Sequence, residues 1–384
     1  MLIVKKTTYV LLILLTFLAC KKKEQSIKIS DKIASEIPLS HAKGFSISTA
    51  NDYKILTISN PWPNAEKVYK YALVEKSILP KITLNRDEFD GIITLPINKI
   101  VVTSTTHLPG LELLQVQNTL VGFPGTDFIS SEKIRTLIDS GNIRELGKNE
   151  GLNTEILLEL NPNVVIGFGI DGNNRSLETV KTSGIPVVFN GDWVENSPLA
   201  KAEWIKLFGV LYNKEREADS IFNGIEKNYL EAKKLVANLK NKPTVLSGAM
   251  HGDIWELPNG NSTEAQLFKD AGMDYLWKNS TGTGSLKLNF ESVFVKAKNA
   301  DIWLNPSNYT SLETLKNGNE HHSSFNAFKN KKIYSFTNTT GETGGVLYYE
   351  LGITRPDLVL KDLIKIGHPT LLKNYELYFF KALK

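Results

Sequence analysis

Residues 214–239 read KEREADSIFNGIEKNYLEAKKLVANL. Apolar side chains fall at Ala218, Ile221, Phe222, Ile225, Tyr229, Ala232, Leu235, Val236 and Leu239. That is the i, i+3, i+4, i+7 stripe of an amphipathic helix, with Glu and Lys on the other face. At 1.5 Å per residue the helix would span roughly 39 Å, about one small domain across. A strand-like run, Pro243–Ser247, follows at once. Taken alone, the helix has two readings: one more surface helix of a large α/β protein, or a spine between two similar lobes. The flanking chain decides between them.

With 384 residues the chain is long enough for two α/β lobes, since single cores rarely grow past roughly 250–300 residues. Apolar residues at 41% and charged residues at 22% are ordinary for a globular protein. The net charge of +4 is small, and no basic stripe with interleaved aromatics supports nucleic-acid binding. A single cysteine, Cys20, excludes an internal disulfide framework and a cysteine metal cluster.

The N-terminus accounts for that cysteine. Lys5 and Lys6 precede the apolar run 9–18, then come Ala19 and Cys20. A charged start, a short apolar stretch and a small residue before the break describe a secretory signal. The run is too short for a comfortable transmembrane helix. The segment resembles a bacterial lipoprotein signal, with Phe17 where that signal usually has Leu. The resemblance implies removal of residues 1–19 and lipidation of Cys20. Residues 20–44 would then form a polar tether, and the protein would be periplasmic and membrane-anchored. The lysines after Cys20 lack the acidic run expected of export to the outer surface. The competing reading is an ordinary signal anchor with an incidental cysteine.

From Phe45 to Lys76 the alternation gives strands, with a turn at Pro61-Trp62-Pro63-Asn64, an antiparallel N-terminal hairpin. Residues 98–104, 120–123, 164–168 and 185–189 read as strands. Helices are expected at 108–116, 132–139, 153–160 and 175–183, several stopped by Gly or by Asn-Pro. Such alternation indicates βα units and a mainly parallel sheet. After the long helix the pattern restarts. Strands are expected at 244–246, 253–257, 301–304 and 332–336, with helices at 262–271, 289–295 and 347–366, the last re-starting at Pro356. The expected domains are an N-terminal lobe 45–212, a bridging helix 213–240 and a C-terminal lobe 241–384.

One repeat is visible letter by letter. Leu152-Asn153-Thr154-Glu155 opens a helix before the strand at Val164, and Leu288-Asn289-Phe290-Glu291 opens one before the strand at Asp301. An acid in the first turn favours the helix dipole by about 0.3–1 kcal/mol. That suffices for either copy, but it does not predict the same L-N-x-E at the same place in both lobes.

IVVTSTTHL at 100–108, LNTEILLELNPNVVIGFG at 152–169, the single long helix and LNFESVFVKAKNADIWLN at 288–305 come in that order. With them the chain resembles the substrate-binding proteins of ABC importers, in the branch for iron–siderophores, haem and cobalamin. In particular it resembles the lipid-anchored binders of the Bacteroidetes type. The resemblance implies two βα lobes with mainly parallel sheets joined by one long bridging helix, and closure by only a small hinge motion. It implies a monomer without cofactor that takes an iron complex or cobalamin between its lobes. Glu155 and Glu291 would dock on arginines of the dimeric permease, because carboxylates at two separated points suit Arg forks on a two-fold partner. Trp62, His107, Phe123, Phe168, Trp193, Trp255, Tyr348 and Tyr349 are candidates for the cleft wall. The Ser104-Thr105-Thr106-His107 turn occupies the loop that lines the cleft in relatives. Arg175 is the candidate for meeting an acidic ferric complex, with a surface helix position as its other reading. Trp204, Trp277 and Trp303 read as core, and His321-His322 as a solvated pair in a polar loop. Six scattered histidines argue against the branch that binds a bare zinc or manganese ion.

The rival class is an extracytoplasmic hydrolase or metalloenzyme. No G-x-S-x-G, H-E-x-x-H or P-loop occurs in the chain. The glycine turns 122–125 and 167–169 are too short to mark a phosphate site. Ser104 and His107 are only three apart, a poor basis for a catalytic triad.

Overall fold

The computed structural model describes residues 35–384. The signal segment, Cys20 and residues 21–34 of the expected tether lie outside the described residues. The last part is no tether, since Ser35–Ile37 is a strand and the backbone N–H groups of Ser40, His41 and Ala42 donate to the buried Glu203 carboxylate.

The long helix runs Glu215–Val236, about 33 Å at 1.5 Å per residue. Glu215 and Glu217 stand in its first turn and Lys233 and Lys234 in its last, each sign opposed to the dipole end it meets. Its buried face is divided. Ala218, Phe222 and Ile225 belong to one apolar core, while Tyr229, Ala232 and Val236 belong to another. The first core otherwise draws on residues 42–212 and the second on 245–383, with Leu199 crossing to the second. One helix is therefore a shared wall of two cores. Leu235, expected in the apolar stripe, is instead 45% exposed, because neighbouring Val236 takes the core-facing position.

The N-terminal core is built on a five-stranded parallel sheet in the order Val187–Phe189, Val164–Gly167, Ile100–Val102, Leu120–Phe123, Arg144–Glu145. The three central and flanking strands Ile100–Val102, Val164–Gly167 and Val187–Phe189 are buried along their whole length, as expected of strands covered on both faces. The C-terminal core repeats the plan with Asp274–Tyr275, Thr244–Ser247, Ile302–Leu304, Ile333–Ser335 and Lys381–Ala382. Only its last pair is antiparallel. A three-stranded antiparallel sheet, Ala249–His251, Ile254–Pro258 and Ser285–Leu288, adjoins it.

The expected N-terminal hairpin is part of a larger sheet. Ser35–Ile37, Phe45–Thr49, Lys54–Ile58 and Tyr69–Glu75 pair antiparallel, and Gly91–Leu95 adds a parallel fifth strand. No turn signal links residues 69–75 to 91–95, so their pairing is decided by packing. Tyr71 ties this sheet to the lobe by donating to the Val187 carbonyl at 2.6 Å.

The helix expected at 108–116 stops at Leu113, because Gln115 turns left-handed at φ 58°. Both L-N-x-E copies fold as expected. Asn153 Oδ1 accepts from Ile156 N at 3.1 Å and Asn289 Oδ1 from Ser292 N at 2.9 Å, each a side-chain cap. Glu155 and Glu291 stand exposed in the first turns of Thr154–Leu160 and Phe290–Ala297. Pro356 opens Pro356–Gly367 as a helix separate from Leu347–Leu351.

Candidate functional site: a cleft walled by both lobes

A cavity of about 630 Å³ lies between the two cores. The N-terminal lobe contributes Pro63, residues 193–196 and Lys201. The C-terminal lobe contributes the segments that follow the strands Thr244–Ser247, Ile302–Leu304 and Ile333–Ser335, together with Tyr348 and Tyr349. These are carboxyl ends of strands, where open α/β sheets place ligands.

Aromatic faces make up part of the wall. Phe336 and Tyr348 stack at 4.0 Å with 6° between their planes, and Tyr349 meets Phe336 edge-on at 5.3 Å. Tyr349 is 54% exposed. On the other side Trp193 packs against Phe168 at 5.8 Å. Two non-glycine residues on this wall are left-handed, Asn305 at φ 51° and Ser307 at φ 53°, and such strain tends to collect at functional sites. Asn305 Oδ1 and Trp193 Nε1 are buried without a hydrogen-bond partner. The wall thus holds one unmet acceptor and one unmet donor.

Of the residues expected on the wall, Trp193, Tyr348 and Tyr349 line the cavity. Ser104, Thr105, Thr106 and Phe168 are half-buried beside it and are not lining. Five expectations are corrected. Phe123 and Trp255 are core residues, 2% and 0% exposed; Trp255 stacks on Trp303 at 5.4 Å and donates to the Ser247 carbonyl. Trp62 is buried between Tyr69 and Phe189 under the loop that carries Gly169 and Gly172, and its neighbour Pro63 reaches the cavity instead. His107 is wholly buried, with neither ring nitrogen hydrogen-bonded, and burial lowers its pKa to about 3. Arg175 sits exposed on Arg175–Thr182, away from the lining.

His322 is also a correction. Its ring is buried: Nδ1 bonds the Leu315 carbonyl at 2.8 Å, and Nε2 accepts from Met250 N. His321 is the exposed member of the pair. Trp204, Trp277 and Trp303 are buried, as their sequence contexts suggested. Sequence reasoning missed Phe336, Asn305 and Glu264. The first two immediately follow strands, so the strand-end rule that selected other residues applied to them as well.

The charges on the wall are uneven. Glu195, Glu256 and Glu264 stand against one ammonium, Lys201, with His251 at the edge. Lys201 donates to the Trp193 carbonyl at 2.7 Å, and burial lowers its pKa despite the surrounding Glu264, Asp192 and Glu195. Asp192, behind Trp193, is 3% exposed with Oδ1 unpartnered, and burial raises its carboxyl to about 6.

A larger hollow of about 810 Å³ lies elsewhere, lined by Lys240, Lys242, Lys332 and Lys365 among others. It belongs to one lobe and its linker, so it is not the interlobe site. Among the described residues no three His, Cys, Asp or Glu side chains gather as a metal site, and no helix is long and apolar enough to cross a membrane. Ser104 Oγ pairs with Thr106 Oγ1 at 3.1 Å rather than with His107.

Two βα lobes sharing one helix around a polar and aromatic cleft define a two-lobed solute-binding protein. The family pattern described as periplasmic binding protein matches residues 100–340, and the chain belongs to that family. It is 29% identical over 393 residues to an uncharacterized lipoprotein of Methanocaldococcus jannaschii, covering 94% of this chain and 91% of the relative. The fold is similar to that of a possible iron-binding (periplasmic solute-binding) protein from Staphylococcus epidermidis. That match has TM-score 0.56 and 17% identity, over 71% of this chain and 98% of the other. It is also similar to the periplasmic heme binding protein HutB of Vibrio cholerae, with TM-score 0.53 and 17% identity, over 68% of this chain and 99% of the other.

Proposed function

We propose that this protein captures an iron complex, siderophore or haem, or a cobalamin-type ligand in its interlobe cleft and delivers it to the permease of an ABC importer. It works as a monomer held at the periplasmic face of a membrane by lipid on Cys20. In this reading the chain divides into the lobes 45–212 and 241–384 with the bridge 213–240. The observation that carries it is the cavity itself: loops of the N-terminal lobe and strand ends of the C-terminal lobe converge on one space with Trp193, Phe336, Tyr348 and Tyr349 around it. Aromatic faces with a few unmet polar atoms suit a large, partly flat complex. Of the structural neighbours, one is a possible iron-binding protein and another a heme binding protein, which supports this reading. Glu155 and Glu291 serve as docking points. Each has an exposed apolar neighbour on its own helix, Leu158 at 39% and Val295 at 79%, the mixture found in protein interfaces.

Tryptophan fluorescence titrated with cobalamin, cobinamide, haemin and ferric siderophores tests the reading. A saturable change with at least one of them is expected, reported by Trp193. No saturable change with any of them overturns it. The hydrolase alternative gains no support from the described residues.

A further inference from the structure

Resting on the capture reading, the charges of the cleft say more about the ligand than its size does. Among the described residues no arginine lines the cavity. Among the described residues its one lysine is Lys201, whose ammonium donates to the Trp193 carbonyl and lies within the field of Glu195, Asp192 and Glu264. An anionic ligand entering the cleft therefore finds, among the described residues, one lysine already bonded to the protein and meets three lining carboxylates. A cationic ligand finds the reverse.

Glu264 is the best placed of the three. Glu195 is 8% exposed, and one of its oxygens already accepts from Lys43 N, Gly44 N and Trp204 Nε1. Glu256 pairs with Lys287 at 3.1 Å. Glu264 is exposed in the first turn of Thr263–Asp270. Its carboxylate lines the same cavity as Lys201, Tyr348 and Tyr349. A carboxylate beside tyrosine faces is the arrangement that holds a cation on one side and a ring system on the other.

We propose that the cleft is built for a cationic metal complex, with Glu264 as its counter-ion and Tyr348 and Tyr349 as the faces against which it packs. Polyanionic ferric catecholates, and haem with its propionates, are disfavoured by the same charges. Selection here is by repulsion of the wrong charge as much as by attraction of the right one.

Calorimetric titration of the full mature chain with cationic probes, diaquocobinamide and ferrioxamine B, and anionic probes, haemin and ferric enterobactin, tests this. At least one cationic probe should bind and should outcompete both anions. Raising the salt from 0.05 to 0.5 M should weaken it severalfold. Glu264→Gln should weaken the cationic probe about tenfold and Glu264→Lys should weaken it further, at an unchanged melting temperature. Glu256→Gln, on a different element, should have a smaller effect in the same direction. If haemin or ferric enterobactin binds more tightly than the cations, or Glu264→Gln leaves cation affinity intact, the charge assignment is overturned while capture stands. If no probe of either sign binds, the capture reading itself has failed.

Discussion

Glu350 accepts a hydrogen bond from the backbone N–H of Ser130 at 2.6 Å, although the two residues lie 220 positions apart and on different lobes. Ser130 Oγ returns a bond to the Gly345 carbonyl at 2.8 Å, and Thr343 donates to the Asp127 carbonyl at 2.8 Å. The backbones touch here: a Cβ on Gly345 would come within 2.2 Å of the Phe128 carbonyl oxygen. The lobes are joined by this seam as well as by the bridging helix.

The seam titrates. Burial, with a smaller push from Glu112, raises the Glu350 carboxyl to about 7, against the bonds from Ser130 and Ser131 that favour its charge. In the unfolded chain it ionises near 4.5, so the native state holds the proton more firmly. Its contribution to stability is complete below about pH 4.5 and is lost as pH rises through about 7, amounting to roughly 3 kcal/mol. Glu350→Gln keeps an acceptor for Ser130 without the charge. Its denaturant midpoint relative to wild type should rise between pH 5 and pH 8. A constant difference across that range would contradict the assignment.

His107 has the opposite sign. Its depressed pKa of about 3 means the native state keeps the ring neutral. The stability tied to that neutral ring is present above about pH 6.5 and is lost as pH falls toward 3. His107→Leu, of similar volume, removes two unpaired polar atoms and should stabilise by about 1–2 kcal/mol at pH 7, with a larger gain at pH 5. Thermal melts at the two pH values measure this, and destabilisation at both would indicate an unseen partner for the ring.

Phe222, 0% exposed, anchors the bridging helix in the N-terminal core with the Lys206 ammonium 5.1 Å from its ring. Phe222→Ala should destabilise by about 3–5 kcal/mol. Amide exchange should speed up first in Ile100–Val102 and Val164–Gly167. Equal loss in Thr244–Ser247 would mean the two cores are not separable along the helix.

The docking role of the two first-turn acids separates from binding. Glu155→Ala combined with Glu291→Ala should abolish uptake in vesicles reconstituted with the permease, while ligand affinity stays at the wild-type value. Surviving uptake would reduce both acids to helix-end residues that favour the dipole.

The long helix, the restart of strand–helix alternation and the two Asn caps were legible because each rests on local rules. A 3.6-residue apolar period, a cap that bonds its own first turn and a run of β-branched residues are written in neighbouring positions. The cleft was only partly legible. Trp193, Tyr348 and Tyr349 line it, whereas Phe123 and Trp255, within strands, and His107, shortly after one, sit in the cores. An aromatic residue's sequence context does not say which face of the sheet will be covered. The parallel pairing of Gly91–Leu95 with Tyr69–Glu75 had no turn signal to announce it.

Lys214–Leu239 marks the division most clearly. Its sequence by itself determined an amphipathic helix, because the stripe depends only on the spacing of its own residues. That Ala218, Phe222 and Ile225 enter one core and Tyr229, Ala232 and Val236 another was decided by tertiary structure alone. The same holds for Ser130 meeting Glu350, and for three carboxylates outnumbering one lysine in the cleft. Those relations join residues tens to hundreds of positions apart, and only the packed chain brings them within reach.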